Sequence, residues 1–441
     1  MLLENKETSN SIVFIQMKSI KLTIKRLGSI RDSEIELMPM MLFSGESGLG
    51  KSYLAILCHY FFEIMANRKR IGSLFDKLNI DFDEVSSRFE ENGIFFVLKK
   101  TDLEEWLAVD AVDYLRYMLG NSSLEADFTV SLQDLIPDEV PFTYRRGAME
   151  INEKKDVIYS ISLPGLVLRV GERGVNEESP MALLLRLYLI QHILEKIIFD
   201  LRTFVLPPSR GPVLTEDVTP VTGLYSSFTK CITWLKRVPN QSVERNQEFL
   251  ALMEDVMEGE VVYDGEKFMY NHHTDPIPLS AAASSIRELA ILSMIAERTD
   301  LDNMVVLFEE PEAHLHPVKQ RAMADALSLM NTFGAYMQVT THSDYLLRRL
   351  NELIKLQKIK ELVNNEEDFE TICHGLSISS VFAFDYRRLG AYLVERNPDG
   401  TSKIVRQSLE EGVPFSSFHE AIENSLSFDM KLTDILDEKN N

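Results

Sequence analysis

The stretch Gly45-Glu46-Ser47-Gly48-Leu49-Gly50-Lys51-Ser52 has the spacing of a complete phosphate-binding loop. The apolar run Met40–Phe43 before it predicts a buried strand, and the apolar residues Leu54–Cys58 after it predict the start of a helix. The three glycines let successive backbone N–H groups face phosphate oxygens, and the helix N-terminus adds a partial positive charge. A chance match in a glycine-rich turn is the alternative, but glycine occurs here near its usual frequency. The stretch predicts that the chain binds a nucleoside triphosphate.

Two side chains of this loop have predicted chemical roles. Lys51 reaches the β- and γ-phosphates, which makes it part of the catalytic set, and the Ser52 hydroxyl ligates Mg²⁺. The residues of this region that are predicted to contact the nucleotide are Gly45, Glu46, Ser47, Gly48, Leu49, Gly50, Lys51, Ser52 and Tyr53.

An acidic partner for this loop follows a second apolar run. Residues Met304–Phe308 are continuously apolar, as expected of a buried parallel strand, and they lead into Glu309-Glu310-Pro311-Glu312. Carboxylates at the C-terminal end of a strand lie where open α/β sheets bind ligands. We predict that Glu309 holds the Mg²⁺ shell, directly or through water, and that Glu310 orients and deprotonates the attacking water.

A histidine follows the next predicted strand. Residues Tyr336–Thr341 predict that strand, and His342 comes directly after it. An isolated histidine can be a packing residue, but the end of a strand in this kind of sheet is where ligands bind. His342 is therefore predicted to hydrogen-bond the γ-phosphate or the attacking water.

The pattern along the chain predicts an α/β protein with four parts. Further strands are predicted at Lys21–Leu27 and Ser33–Leu37, a helix at Asp110–Leu119, and a long helix at Glu178–Leu201. The predicted parts are 1–70, the first part of a nucleotide-binding core with the phosphate loop; 71–200, an inserted α+β or helical subdomain; 201–350, the second part of the core; and 351–441, a C-terminal extension of the core. Also predicted are a strand at Ala126–Leu132, a strand pair at Asp156–Val170, a helical region at Pro220–Met257, a hairpin at Glu260–Tyr270 and a helix at Val318–Met330.

Composition restricts the setting. With 45% hydrophobic and 26% charged residues, the 441-residue chain has ordinary soluble globular composition. Three widely spaced cysteines suit a reducing compartment. No signal peptide is recognisable at the N-terminus, and the apolar stretch Ala182–Ile190 is too short to span a bilayer, so we expect a cytoplasmic protein without membrane contact.

The net charge of −22 disfavours a surface built for nucleic acid, because DNA affinity depends on clustered Lys and Arg. It does not exclude such a surface. The small basic clusters 68–70, 145–146 and 154–155 either converge on a nucleic acid or are solvated surface charge, and the second interpretation is favoured. The acidic surface is suited to a basic protein partner.

Taken together, Gly45–Ser52, Phe308–Pro317 and Thr341–Ser343 resemble the ABC/SMC-type ATPases. Within these the chain is most similar to the overcoming-lysogenisation-defect (OLD) branch and its relatives in bacterial anti-phage systems such as Septu. The loop Leu206–Arg210 looks like a further shared element, and Ser280–Leu289 lies where the family has its signature helix. The segment Glu411–Pro414 also resembles the tail of such proteins.

The resemblance implies a P-loop NTPase fold of the ABC/SMC head type, with a mixed, largely parallel sheet, and a mechanism that uses ATP and Mg²⁺. Two heads of this family sandwich two nucleotides, so Ser284 or Ser285 is expected to contact the γ-phosphate bound by a partner head, with Arg287 nearby. Ile286 stands where an ABC signature has glycine. A helix-capping role for Ser280–Ser285 is the alternative.

Three other residues are left with two interpretations each. His314 and His316 either line the contact between heads or pack within one head. Arg210 is either a phosphate ligand or an interface residue.

OLD nucleases carry a metal-dependent Toprim domain after the ATPase, whereas 99 residues follow His342 here without an evident Asp-x-Asp metal pair. The leading hypothesis is therefore an ATP-hydrolysing regulatory switch of an anti-phage system, a head dimer or higher oligomer that controls a separate nuclease or toxin. The alternatives are a DNA-clamping ATPase of the recombination type and a scaffold that binds ATP without turnover. A transporter ATPase is disfavoured by the diverged signature.

Overall fold

The computed structural model describes residues 19–67, 69–80, 93–151, 154–171, 179–196, 200–216, 218–241, 243–272, 276–363, 365–410, 412–413, 423, 425–433 and 435–436. Of residues 146–151, 154–159 and 170–171 only the backbone is described. Arg68, Glu411 and Pro414, which belong to segments singled out above, lie outside the described residues.

The described residues form sixteen strands. In chain order they are β1 (Lys21–Leu27), β2 (Ile30–Glu36), β3 (Met40–Gly45), β4 (Gly93–Lys99), β5 (Ala126–Ser131), β6 (Glu139–Ile151), β7 (Lys154–Leu163), β8 (Leu166–Gly171), β9 (Arg202–Leu206), β10 (Glu260–Tyr263), β11 (Phe268–Asn271), β12 (Ile277–Pro278), β13 (Met304–Glu309), β14 (Tyr336–Thr340), β15 (Leu389–Arg396) and β16 (Ser402–Arg406).

Among the described residues, 425–433 are helical, and eleven α-helices precede them. These are α1 (Lys51–Ala66), α2 (Gly72–Lys77), α3 (Lys100–Leu119), α4 (Pro180–Ile193), α5 (Arg210–Thr215), α6 (Gly223–Arg237), α7 (Gln247–Met257), α8 (Ser284–Ala296), α9 (Pro317–Thr332), α10 (Asp344–Leu362) and α11 (Glu366–Gly375). Short 3₁₀ helices lie at Glu244–Asn246, Leu279–Ala281, Leu301–Asn303, Ser380–Phe382 and Tyr386–Arg388.

A nine-stranded sheet in the order β5-β1-β2-β16-β15-β3-β14-β13-β9 organises the molecule. The pairs from β15 to β9 are parallel, as is the pair β2–β16. The pairs β5–β1, β1–β2 and β15–β16 are antiparallel. The predicted α/β class with a mixed, largely parallel sheet is confirmed.

The middle of this sheet is buried on both faces. Along β3, Met41 and Phe43 belong to one hydrophobic cluster, whereas Met40 and Leu42 belong to the other. The first cluster includes residues of α1, α3 and α4, and the second includes residues of α6 to α10. Helices on both faces explain why β3 and β13 are continuously apolar in sequence.

Two smaller antiparallel sheets accompany the large one. Strands β4, β6, β7 and β8 form one, and the short strands β10, β11 and β12 form the other. The predicted strand pair at 156–170 is confirmed as β7 and β8, which turn between Leu163 and Leu166. The predicted hairpin at 260–270 is confirmed as β10 and β11. The division into four parts stays a prediction. Strand β5, which lies in the predicted insertion 71–200, pairs with β1 in the large sheet.

Several predicted boundaries are wrong. The helix predicted at Glu178–Leu201 ends at Ile193, and Glu195 then has a left-handed backbone conformation with φ of 53°, which stops a helix. The helix predicted at Asp110–Leu119 begins at Lys100, because the apolar stripe starts with Leu103 and Trp106. Strands β15 and β16, which complete the large sheet, have no counterpart among the predicted elements.

Gly45 at the end of β3 offers a test of how tightly the sheet is built there. Its φ is 125°, and a Cβ atom at this position would overlap the Val394 carbonyl oxygen. Gly165, in the β7–β8 turn, also has positive φ, but a Cβ atom there would have no neighbouring atom within 4 Å. We expect Gly45→Ala to lower the free energy of unfolding by about 1–3 kcal/mol more than Gly165→Ala, because only Gly45 adds a steric overlap to the backbone strain. Urea denaturation followed by circular dichroism measures both, and equal losses would contradict the expectation.

Candidate functional site

Three neighbouring strands bring the candidate residues together. Parallel β14 lies between β3 and β13, and Thr340 pairs with Phe43 on one side and with Glu309 on the other. The carboxyl ends of the three strands therefore meet at one edge of the sheet, where ligands bind in such folds. The phosphate loop follows β3, the acidic pair ends β13, and His342 follows β14.

The phosphate loop has the conformation that its glycines predict. Gly45, Gly48 and Gly50 have φ of 125°, 78° and 101°, values that other residues rarely adopt. Gly50 is the N-cap of α1 and provides no side chain, so the first N–H groups of the helix are not capped by a side chain. This arrangement suits an anion at the helix N-terminus.

Lys51 is folded onto its own loop. Its Nζ donates hydrogen bonds to the carbonyl oxygens of Gly45 (3.0 Å) and Glu46 (2.6 Å). Burial lowers the pKa of Lys51 to about 8, against the opposing effect of the nearby carboxylates of Glu310 and Glu312. The carbonyl groups of Gly45 and Glu46 thus hold the Lys51 ammonium group at the loop. A bound phosphate can replace these carbonyl oxygens as the hydrogen-bond acceptor.

The two C-terminal strands brace this loop, which the sequence did not indicate. The buried Ser402 hydroxyl of β16 donates to the Leu49 carbonyl oxygen (2.9 Å) and lies 3.0 Å from the Ser29 hydroxyl. On β15, the Val394 carbonyl contacts Gly45 so closely that no side chain fits there. The phosphate loop therefore depends on residues from the far end of the chain.

Ser52 and Glu309 are the two residues that the sequence predicts to hold Mg²⁺. The Ser52 side chain is close enough to the Glu309 carboxylate to lower the pKa of Glu309, and Glu309 Oε1 is buried without a hydrogen-bond partner among the described residues. Burial raises the pKa of Glu309, and the adjacent Glu310 carboxylate adds to the rise. A hydroxyl, a carboxylate and an unsatisfied buried oxygen are the hard oxygen donors that Mg²⁺ prefers, so these residues fit the ion. Among the described residues, no group of three His, Cys, Asp or Glu side chains is placed to hold a metal ion.

Glu310 and His342 face each other across the site. The distance between His342 Nε2 and Glu310 Oε1 is 3.7 Å, and both side chains are partly exposed. Glu310 has a left-handed backbone with φ of 46°, and its N–H donates to the Thr340 carbonyl oxygen at 3.1 Å. Burial and the Lys51 charge lower the pKa of His342, so its imidazole is neutral near pH 7. A carboxylate and a neutral imidazole at this edge are able to orient a water molecule.

Arg210 is neither a phosphate ligand nor an interface residue, because its side chain has no exposed surface. Its Nη1 donates to the carbonyl oxygens of Glu309 (3.0 Å) and Pro207 (3.1 Å), and its Nε lies 3.2 Å from Glu288 Oε2. The Glu288 carboxylate also accepts from the backbone N–H groups of Arg210 and Gly211, both at 3.0 Å. Arg210 thus ties the loop after β9 to β13 and to α8.

The signature-like segment begins helix α8. Ser284 is exposed and Ser285 is partly exposed at its first turn. The N-cap residue is Ala283, which provides no side-chain hydrogen bond, so the capping interpretation of Ser280–Ser285 is wrong. Ile286 packs against the hydrophobic core, whereas Arg287 is partly buried and its Nε has no hydrogen-bond partner among the described residues. The uncapped N–H groups and the serines leave this helix end open to an anion.

His314 and His316 are both exposed. His314 has a left-handed backbone with φ of 60°. His316 is the N-cap of α9, and its Nδ1 accepts from the Val318 N–H at 3.4 Å. Neither histidine is a packing residue of the core, and their contact with a second head stays a prediction.

Comparison with known proteins supports the nucleotide chemistry. Residues 190–347 match the family model described as the AAA ATPase domain. This range contains β13 with its acidic pair and the strand that precedes His342. No match is found among the curated proteins. The matched domain and the phosphate loop together support an ATPase of the AAA type.

Three solved structures are similar to the chain at low identity. One is an SMC head bound to the C-winged helix domain of ScpA, with 12% identity and a TM-score of 0.36 over 89% of this chain and 98% of that one. The second is the SMC head domain from Thermotoga maritima, with 11% identity and a TM-score of 0.34 over 89% of this chain and 100% of that one. The third is the Smc head domain from Pyrococcus furiosus bound to the C-terminal domain of ScpA, with 12% identity and a TM-score of 0.37 over 92% of this chain and 99% of that one.

All three cysteines, Cys58, Cys231 and Cys373, are buried and free. Among the described residues, no helix combines the length and the apolar character needed to cross a bilayer.

Replacing Arg210 tests its structural role. We expect Arg210→Met to lower the free energy of unfolding by about 3–5 kcal/mol, because a buried Glu288 carboxylate loses its charge partner. The matched control is Arg321→Met, which breaks an exposed pair with Glu352 and is expected to cost at most about 1 kcal/mol. Urea denaturation of both variants makes the comparison. A loss for Arg210→Met no larger than for the control would show that the buried network is not needed for stability.

Proposed function

We propose that the chain is an ATP-hydrolysing switch whose paired heads control a separate effector protein in a bacterial anti-phage system. The observation that carries the enzymatic part is the convergence of Lys51, Glu309, Glu310 and His342 at the carboxyl edge of three adjacent strands. Matching of residues 190–347 to an AAA ATPase domain supports the same chemistry. The regulatory part rests on the motif resemblance.

The residues of this edge account for each part of the reaction. The loop N–H groups and Lys51 bind the phosphates, and Ser52 and Glu309 would hold Mg²⁺, which supplies positive charge against the phosphates when bound. Glu310 accepts a proton from the attacking water, whose oxygen bonds to the terminal phosphorus as the bond to the ADP oxygen breaks. His342, neutral, hydrogen-bonds the water or the terminal phosphate and so fixes the line of attack.

Pairing of heads would complete the site. In this proposal the open N-terminus of α8, with Ser284, Ser285 and Arg287, faces the γ-phosphate held by a partner head. The exposed serines and the uncapped N–H groups support this role, since a helix N-terminus favours negative charge. ATP then favours the closed pair, and hydrolysis releases it.

Control of an effector requires that the effector bind the open and closed pairs with different affinity. The proposed effector is a nuclease or toxin on another polypeptide. The chain's net charge of −22 suits a partner with a basic contact surface. The DNA-clamping alternative predicts instead that the purified chain binds duplex DNA in an ATP-dependent and strongly salt-dependent way. Absence of such binding at low salt would remove that alternative.

Two active-site variants separate binding from turnover. Lys51→Ala is expected to lose ATP binding, because no other side chain of the loop provides a cation for the phosphates. Glu310→Gln is expected to bind ATP like the parent protein, to hydrolyse it about 10²–10⁴-fold more slowly, and to accumulate as a dimer. Fluorescent-nucleotide titration, phosphate release and light scattering measure the three quantities. Parent-like turnover by Glu310→Gln would remove the catalytic assignment.

Mixing two inactive variants tests the pairing of heads. Lys51→Ala keeps an intact α8 but no functional loop, and Ser285→Arg keeps the loop but blocks the end of α8. If the site is shared between heads, a mixed dimer contains one complete site, so the mixture is expected to hydrolyse ATP faster than the sum of its components. A mixture of Lys51→Ala with Glu310→Gln is the control. Lys51 and Glu310 belong to the same half of a shared site, so no mixed dimer of these two variants contains a complete site. Equal rates for the mixture and the sum would contradict a shared site.

A further inference from the structure

Glu312 is a buried carboxylate that the proposed chemistry does not use. It follows Glu309 by three residues, and only 8% of its surface is exposed. Burial raises the pKa of Glu312, against the effect of the N–H and O–H groups that it accepts from. A buried acid is costly for stability unless its hydrogen bonds serve a purpose, so its contacts indicate what it does.

Its contacts join the loop after β13 to the loop after β14. Glu312 Oε1 accepts hydrogen bonds from the Thr341 hydroxyl at 2.9 Å and from the backbone N–H of His342 at 2.5 Å. The Thr341 hydroxyl in turn accepts from the Ser343 N–H at 3.0 Å. One oxygen of the Glu312 carboxylate therefore holds Thr341 and the backbone of His342, which together set the position of the His342 Cα atom.

The same segment is tied to the strand that carries the phosphate loop. The Thr341 N–H donates to the Phe43 carbonyl oxygen at 3.0 Å, two residues before Gly45. On the other side, the Glu310 N–H donates to the Thr340 carbonyl oxygen at 3.1 Å and lies 3.3 Å from the Thr340 hydroxyl. These bonds place the backbones of Glu310 and His342 in one network, which the Glu312 carboxylate closes.

We propose that Glu312 is a positioning residue that sets the distance between His342 and Glu310 by holding the His342 backbone. This inference rests on the proposed ATPase function. Glu312 does not touch nucleotide in this assignment, and its positioning role acts through the His342 backbone. The negative charge is not required for this role, because one accepting oxygen is sufficient for both donors.

Three variants distinguish this role from a general contribution to folding. Glu312→Gln keeps an accepting oxygen of the same geometry, Glu312→Ala removes it, and Thr341→Val removes one of the two donors while leaving the His342 N–H. We expect Glu312→Ala to lower kcat about 10- to 100-fold with little change in KM. The reason is that Glu312 orients His342, which acts in the transition state and not in substrate binding. Glu312→Gln is expected to stay near the parent kcat, and Thr341→Val to lie between the two. Thermal unfolding of each variant establishes that the compared proteins are folded.

A double variant shows whether the effect passes through His342. In a His342→Ala background, Glu312→Ala is expected to cause no further fall in kcat, since the side chain that it positions is gone. Multiplicative losses in the double variant, or an equal loss in Glu312→Gln and Glu312→Ala, would overturn the inference.

A nucleotide-free measurement separates this inference from the proposed function. Nuclear magnetic resonance of protein labelled with ¹⁵N-histidine reports the imidazole of His342, which is assigned by its absence in His342→Ala. Glu312→Ala is expected to shift that signal and Glu312→Gln to leave it near its parent position. A parent protein without ATP turnover would defeat the proposed function, whereas an unmoved His342 signal in Glu312→Ala would defeat the positioning role.

Discussion

Hydrogen bonding of β14 to both β3 and β13 is the constraint on which the site depends. Because the three strands are parallel and in fixed register, the residues that follow them must meet at one edge. A shift of β14 by one residue would turn His342 to the other face and break the pairing of Thr340 with Phe43 and Glu309. Such a shift is opposed by packing, because every residue of β14 is buried and the Gln338 Oε1 atom lies 2.8 Å from His59 Nδ1 of α1.

The motifs that lie within short stretches of sequence could be predicted. An apolar run indicates a buried strand, spaced glycines indicate the phosphate loop, and renewed apolar residues indicate the helix that follows. The phosphate loop, the acidic pair after β13 and His342 after β14 lie where those signals place them, although their roles in catalysis stay predictions. The helix predicted at 178–201 is too long, since apolar periodicity contains no information about the backbone of Glu195. What sequence patterns cannot show is contact between distant segments, such as Ser402 with Leu49 or Glu312 with His342.

Buried charge distinguishes the groups that hold the site from those that act in it. Arg210, Glu288 and Glu312 are nearly inaccessible, and the side chain of each hydrogen-bonds backbone groups of the loops around the site. Glu310 and His342 are partly exposed and have few bonds to their side-chain atoms. Burying a charge lowers stability, and breaking a buried ion pair lowers it further because one charge is left without a partner. A loop held by such a pair is therefore fixed in one arrangement. For Arg210 the sequence pattern identifies the residue but not its burial.

The bond between Ser402 and Leu49 joins residues that are 353 positions apart in the chain. Strand β15, which is packed against Gly45, likewise comes from the last part of the described sequence. During synthesis on the ribosome, the nucleotide loop therefore waits for its supporting strands until the 353 positions that separate Leu49 from Ser402 have been added. A chain stopped before β15 by truncation or stalling would lack the contacts that Val394 and Ser402 make with this loop.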